Sequence, residues 1–140
     1  MADLPEKLAR VPLFSRLRPR DLKQLAKRMS ERRWNEGDTV IEEGKGGAGF
    51  WVIESGNVTI SVGGRSVNTL GPGEHFGEIA LLDDGPRSAT VTAATDVQCF
   101  GIVAWEFAPF VRENPEVAWT MLQHLAARLR AAETRAQPQV

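Results

Sequence analysis

One cysteine, two histidines and no apolar run near the ~20 residues that a membrane span needs set the first limits on this 140-residue chain. A lone cysteine, Cys99, excludes an internal disulfide. It sits in the apolar stretch "VQCFGIV" and reads as a buried structural thiol rather than a reactive one. The histidines, His75 and His124, stand far apart, and no nucleophile–base–acid set has a local signature. "GKGGAG" has glycines but lacks the ordered Gly-Lys-Ser/Thr of a P-loop. No catalytic or metal-ligating residue is assigned, and no enzyme is expected. The first thirty residues are dotted with charge and have no signal-peptide centre, so a cytoplasmic location is expected. A net charge of -1 gives no global basic footprint, so neither nucleic acid nor membrane is expected as a partner.

What is present is the composition of a globular domain, 42% hydrophobic and 25% charged residues. The length suggests one domain over residues 1–140. Charge is unevenly placed. Through Trp34 there are ten Lys/Arg against four Asp/Glu, and from Asn35 seven against fourteen. The basic first part reads as a solvated helix surface.

Three regions follow from the patterning. Residues 1–33 read as helices: a short one at "LPEKLARV", then "RPRDLKQLAKRM" with an apolar face of Leu22, Leu25, Ala26 and Met29. Pro19 suits its first position and Asp21 the positive end of its dipole. Residues 34–104 break into short strands rich in β-branched and aromatic residues, separated by Gly, Asp, Asn and Pro, which argues for a β-sandwich or small barrel. "SVGGRS" is a hairpin signal. Residues 105–136 are helical again. Pro109 limits or kinks a first segment, and Asn114, Pro115 and Glu116 start a longer helix. Leu122, Leu125, Leu129 and Ala132 form a narrow seam on it, open to docking on the barrel or to pairing with a second copy. The four tryptophans read as packing residues.

The stretch "FGEIALLDDGPRSATV", residues 76–91, sets one carboxylate, Glu78, and one guanidinium, Arg87, among small and apolar neighbours. Neither charge is cheap to bury without a partner. Arg87 can fork onto two phosphate oxygens, and Glu78 can accept from a hydroxyl. Small residues such as Ala80 and Ala89 let a ligand approach the backbone, and "GEIALL" can begin a brief helix whose free N–H groups suit an anion. A nucleotide with a free ribose hydroxyl fits these needs. The reading without a ligand is a Glu78–Arg87 ion pair.

This stretch resembles the phosphate-binding cassette of cyclic nucleotide-binding domains, a Phe-Gly-Glu-(Ile/Leu)-Ala-Leu-Leu segment, a short gap, then Pro-Arg-(Ser/Thr/Ala)-Ala-(Thr/Ser)-Val. "GDTVIEEG" and "FWVIESGNVTI" are similar to the early strands of that family, and the likeness covers roughly residues 8–135. The resemblance implies an α+β, mainly β fold: a double-stranded β-helix (jelly-roll barrel) flanked by N-terminal helices and a C-terminal helix pair. It implies that Glu78 accepts from the ribose 2′-hydroxyl with Gly77 and Ile79 beside it. Arg87 holds the cyclic phosphate, aided by backbone N–H groups of Ala80 and Ser88 and by the Ser88 hydroxyl. Leu81 and Ala89 line the pocket. Ser88, where a Thr helps bind guanine in some members, favours cAMP over cGMP. Adjacent Thr and Ser that reach adenine in some members correspond here to Ala132 and Glu133. Arg128, Leu129 and Ala132 are the lid candidates.

The implied function is a cyclic nucleotide sensor that needs no other cofactor, signals by moving its C-terminal helices, and is read by an effector protein or by a second copy through the C-terminal helix. No DNA-reading or other effector domain is apparent in the chain. Two other readings stand beside it: an interaction module of the same fold that binds no ligand, and a cupin-type metal-binding barrel. The second would need several His and a Glu on neighbouring strands, and only His75 lies in the strand region. His75, beside the cassette in "GEHFGE", could touch a ligand, but reads first as a rim residue at a variable loop position.

Overall fold

The computed structural model describes residues 4–44, 49–83 and 85–136, without the side chains of Ile79 and Ala136. Most of "GKGGAG", Asp84 of the cassette and the terminal "QPQV" lie outside the described residues. The chain divides into two compact units, one from residues up to Lys27 together with those from Pro109 on, the other Arg28–Ala108.

The second unit is two antiparallel four-stranded sheets. β1 (Ser30–Trp34), β8 (Val97–Val103), β3 (Gly49–Ser55) and β6 (His75–Phe76) form one, in that order. β2 (Thr39–Ile41), β7 (Thr90–Ala93), β4 (Val58–Val62) and β5 (Arg65–Leu70) form the other. This is the expected α+β, mainly β architecture, with helices at both ends of the chain. The alternation of side chains sends Trp51, Ile53, Val97 and Cys99 of the first sheet and Val58, Val91 and Ala93 of the second into one core. β3 does not alternate. Phe50, Trp51, Val52 and Ile53 are all buried because both faces of this strand are covered, and each contributes roughly 1.5–3 kcal/mol by burial. Trp51 lies over Gly101 of the neighbouring strand, where any Cβ would overlap its ring. Gly63 and Gly64 turn the β4–β5 hairpin with φ of 59° and 80°, as the Gly-Gly pair predicts.

Two short strands depart from the sequence reading. The barrel begins at Ser30 rather than Trp34. "SERRW" carries no apolar alternation because β1 is an edge strand, largely exposed and held by main-chain pairing to β8. β6 places His75 opposite Val52, on a strand and not on a loop. That two-residue strand is too short to leave a periodic signal.

In the first unit α1 (Leu4–Ala9) and α2 (Pro19–Lys27) pack together around the 3-10 turn Pro12–Phe14. α2 stops at Lys27, so its buried face is Leu22 and Leu25, and Met29 falls outside the helix. Asp21 is buried and holds the Arg18 guanidinium through both oxygens, at 2.9 and 3.3 Å. α3 (Ala104–Glu113) runs through Pro109, which has no N–H to donate to the carbonyl of Trp105 four residues back. α4 is Pro115–Ala136, and Asn114 joins the two helices: its carbonyl accepts the Val117 N–H at 2.9 Å and its amide donates to the Phe110 carbonyl at 2.8 Å. α4 buries Val117 and Met121 and packs on the first 3-10 turn. The expected seam lies elsewhere on the helix, with Leu122 and Leu129 exposed beside Trp119. Among the described residues no helix is long and apolar enough to cross a membrane.

Candidate functional site

Ile41, Val91 and Ile60 stand side by side on β2, β7 and β4, because Val91 pairs with both of its neighbours. Pairing at one level points all of them to the same face, and they form the apolar floor of a cavity of about 300 Å³. Phe76 of β6 closes one side. The remaining wall is the stretch singled out in the sequence: Gly77, Glu78, Ala80, Arg87, Ser88 and Ala89 all line this cavity, with Asp83, Gly85 and Pro86. The barrel therefore brings its acid and its base to one opening.

Each charge has a protein partner. Glu78 sits on a 3-10 turn, Glu78–Leu81, that lies against β3. Its Oε2 is 3.3 Å from Nε2 of His75. Arg87 donates from Nη2 to the carbonyl of Gly49, the first residue of β3, at 3.0 Å. Burial lowers the pKa of Arg87 from its ordinary value, because desolvation penalises the charged guanidinium. The Arg87 carbonyl accepts the Gly44 N–H at 2.8 Å, and Thr90 Oγ1 accepts that of Glu43 at 3.0 Å, so both ends of this segment are tied to the turn after β2.

Gly77 is held to glycine on two counts. Its φ is +90°, and a Cβ there would collide with the Gly49 carbonyl oxygen and come within 3.3 Å of Arg87 Nη1. The backbone thus passes directly under the carbonyl that fixes the guanidinium.

Other expected residues are placed differently. The Ala80 N–H donates to the Gly77 carbonyl at 3.1 Å, which closes the 3-10 turn. Leu81 is buried and lines a separate depression with Leu82, Trp105 and Ala108, rather than the cavity floored by β2, β7 and β4. The Ile79 side chain is outside the described set. Arg128, Leu129 and Ala132 lie on the exposed surface of α4, in the helical unit, whereas the cavity is lined wholly by the barrel unit. Among the described residues no cluster of His, Cys, Asp and Glu could hold a metal ion.

Sequence reasoning left four contributors unassigned: Ile41 and Ile60 of the floor, the Gly49 carbonyl and the His75 imidazole. Ile60 carried a period-2 signal with Val58 and Val62, and Ile41 did not. A main-chain acceptor carries none.

Comparison with known proteins decides the family. The family model for the cyclic nucleotide-binding domain matches residues 31–114, more than half of the chain. The chain belongs to the cyclic nucleotide-binding domain family. It is 33% identical over 127 residues to a cyclic AMP receptor protein of Thermus thermophilus, covering 87% of this chain and 59% of that protein. It is 31% identical over 126 residues to a cGMP-dependent protein kinase of Plasmodium berghei, covering 89% of this chain and 14% of the kinase. The crystal structure of the N-terminal domain of a transcriptional regulator from Streptomyces coelicolor superposes with a TM-score of 0.85 at 33% identity, over 93% of this chain and 94% of that one. The chain thus spans less than two thirds of the length of the curated relatives it matches. Cyclic nucleotide-binding domains are regulatory rather than catalytic, and the jelly-roll reading of the strands agrees with these neighbours.

Proposed function

We propose that this domain binds cAMP in the cavity floored by Ile41, Val91 and Ile60, and that occupancy biases the position of α3 and α4. One observation carries the reading: Glu78 and Arg87 line the same cavity, each braced from outside it. Arg87 pairs with the cyclic phosphate, and Ser88 adds its hydroxyl and N–H. The Ala80 N–H is shared between the Gly77 carbonyl and a phosphate oxygen, as three-centre bonds allow. Glu78 accepts from the ribose 2′-hydroxyl. The apolar floor takes the non-polar faces of sugar and base, and Ser88 tips the choice of base toward adenine. Arg128, Leu129 and Ala132 of α4 cover the base. The output is a population shift: ligand favours one placement of the C-terminal helices, and an effector or a second copy reads it.

Calorimetric titration with cAMP and cGMP tests the reading, with Arg87→Ala and Glu78→Ala as controls. Truncating a buried guanidinium that pairs with an anion costs about 2–5 kcal/mol, or roughly 30- to 3,000-fold in affinity. Losing a hydrogen bond to a charged group costs about 1.5–3 kcal/mol. Arg87→Ala is therefore expected to lose more than Glu78→Ala, and the wild-type domain to bind cAMP more tightly than cGMP. No heat with either nucleotide, or equal losses in the two variants, would overturn it.

A further inference from the structure

We infer that His75 is a positioning residue for the nucleotide: its imidazole holds the Glu78 carboxylate in the orientation that receives the ribose hydroxyl. The inference rests on the binding reading above and adds a residue that touches no part of the cavity. Glu78 lines the opening and His75 does not, so any effect of His75 on the ligand passes through Glu78.

The pair is sheltered. The His75 side chain is 23% exposed and that of Glu78 19%, with 3.3 Å between Nε2 and Oε2. An ionised carboxylate only accepts, so in a hydrogen bond across this 3.3 Å contact the donor is Nε2. Oε2 then faces the imidazole, and Oε1 is the oxygen assigned to the ribose hydroxyl. A glutamate on a short turn has a flexible side chain, and a fixed partner selects the rotamer that binding needs.

His75 is itself fixed. Its backbone pairs with Val52 of β3, and its ring lies 6.0 Å from that of Phe50, which is fully buried. Phe50 directly follows Gly49, whose carbonyl holds Arg87. The start of β3 therefore sets both charges, Arg87 through a main-chain oxygen and Glu78 through the histidine that β3 supports. A displacement of this strand end would spoil the phosphate and ribose contacts together.

Two variants separate positioning from packing. His75→Phe keeps a ring against Phe50 and removes the donor. His75→Gln restores an N–H donor. Each is titrated with cAMP and with 2′-deoxy-cAMP, which lacks the hydroxyl. His75→Phe should weaken cAMP binding about two- to tenfold, the range of one net hydrogen bond, and leave 2′-deoxy-cAMP unchanged. His75→Gln should stay within about twofold of wild type for both. Equal loss with both nucleotides, or no loss with either, overturns the role of His75 while the binding reading stands. Failure of the wild-type protein to bind either nucleotide overturns that reading and this inference with it.

Discussion

Gly77→Ala tests whether the close approach of the cassette backbone to β3 sets the site. Gly73 supplies a matched reference. Its φ is +87° against +90° at Gly77, so an alanine meets nearly the same backbone strain at both positions. The surroundings differ: nothing lies within 4 Å of a Cβ at Gly73, whereas one at Gly77 runs into the Gly49 carbonyl oxygen. Left-handed strain alone costs about 1–2 kcal/mol, and this is the loss expected for Gly73→Ala. At Gly77 the carbonyl must also move, and it accepts from Arg87 at 3.0 Å. Losing a hydrogen bond to a charged group adds about 1.5–3 kcal/mol, for a total of about 2.5–5 kcal/mol. Urea unfolding followed by tryptophan fluorescence measures both variants against wild type. Nucleotide titration of the folded variants gives a second readout, since Gly77→Ala should weaken binding through the displaced Arg87 and Gly73→Ala should not. A difference in stability below about 1 kcal/mol, with equal affinities, would refute the claim that the Gly49 carbonyl organises the site.

Burial pushes the Cys99 thiol up to about 12 from its usual 9.0. The unfolded chain then releases this proton first, so stability should fall as pH rises above about 9, and Cys99→Ala should flatten that slope in thermal melts. The same thiol should resist a disulfide reagent in the native protein and react once the chain is unfolded in urea. His124 shifts the other way: burial, then the charges of Arg128 and Arg16, lower its pKa, and its buried Nε2 makes no hydrogen bond among the described residues. The unfolded state takes up this proton more readily, so stability should drop as pH falls below about 6.5, a trend that His124→Gln should lessen in melts between about pH 7.5 and 5.5. Gly101→Ala should displace the Trp51 indole and cost about 1–3 kcal/mol by overpacking, with a red-shifted emission as its signature. Unchanged emission and stability would mean that the ring tolerates the methyl group.

The parts of this molecule that were legible in the sequence are those whose cause is local. A Gly-Gly pair makes a hairpin wherever it sits, and Asn114-Pro115-Glu116 starts a helix with no help from the rest of the chain. The cassette is legible for a related reason: its charged and small residues fall in one continuous run, and most of the described residues of that run line one cavity, Leu81, Leu82 and Thr90 apart. What escaped notice depends on pairing over long distances. β1 is a strand because β8 lies beside it, and no property of "SERRW" requires that. The buried face of α4, Val117 and Met121, is chosen by the surface it meets, and Leu122 and Leu129 of the longer leucine row lie outside it. His75 and Gly49 are the most instructive. They stand 26 positions apart (75 minus 49), and they brace Glu78 and Arg87 from two neighbouring strands, β6 and β3. The Gly49 contribution is a carbonyl oxygen, which every residue has, so no substitution pattern at that position could announce it. Its mark falls instead on Gly77, where the φ of +90° and the nearby oxygen together exclude a side chain. In a site assembled this way, the glycine of the motif reports on the main-chain oxygen that the motif does not contain.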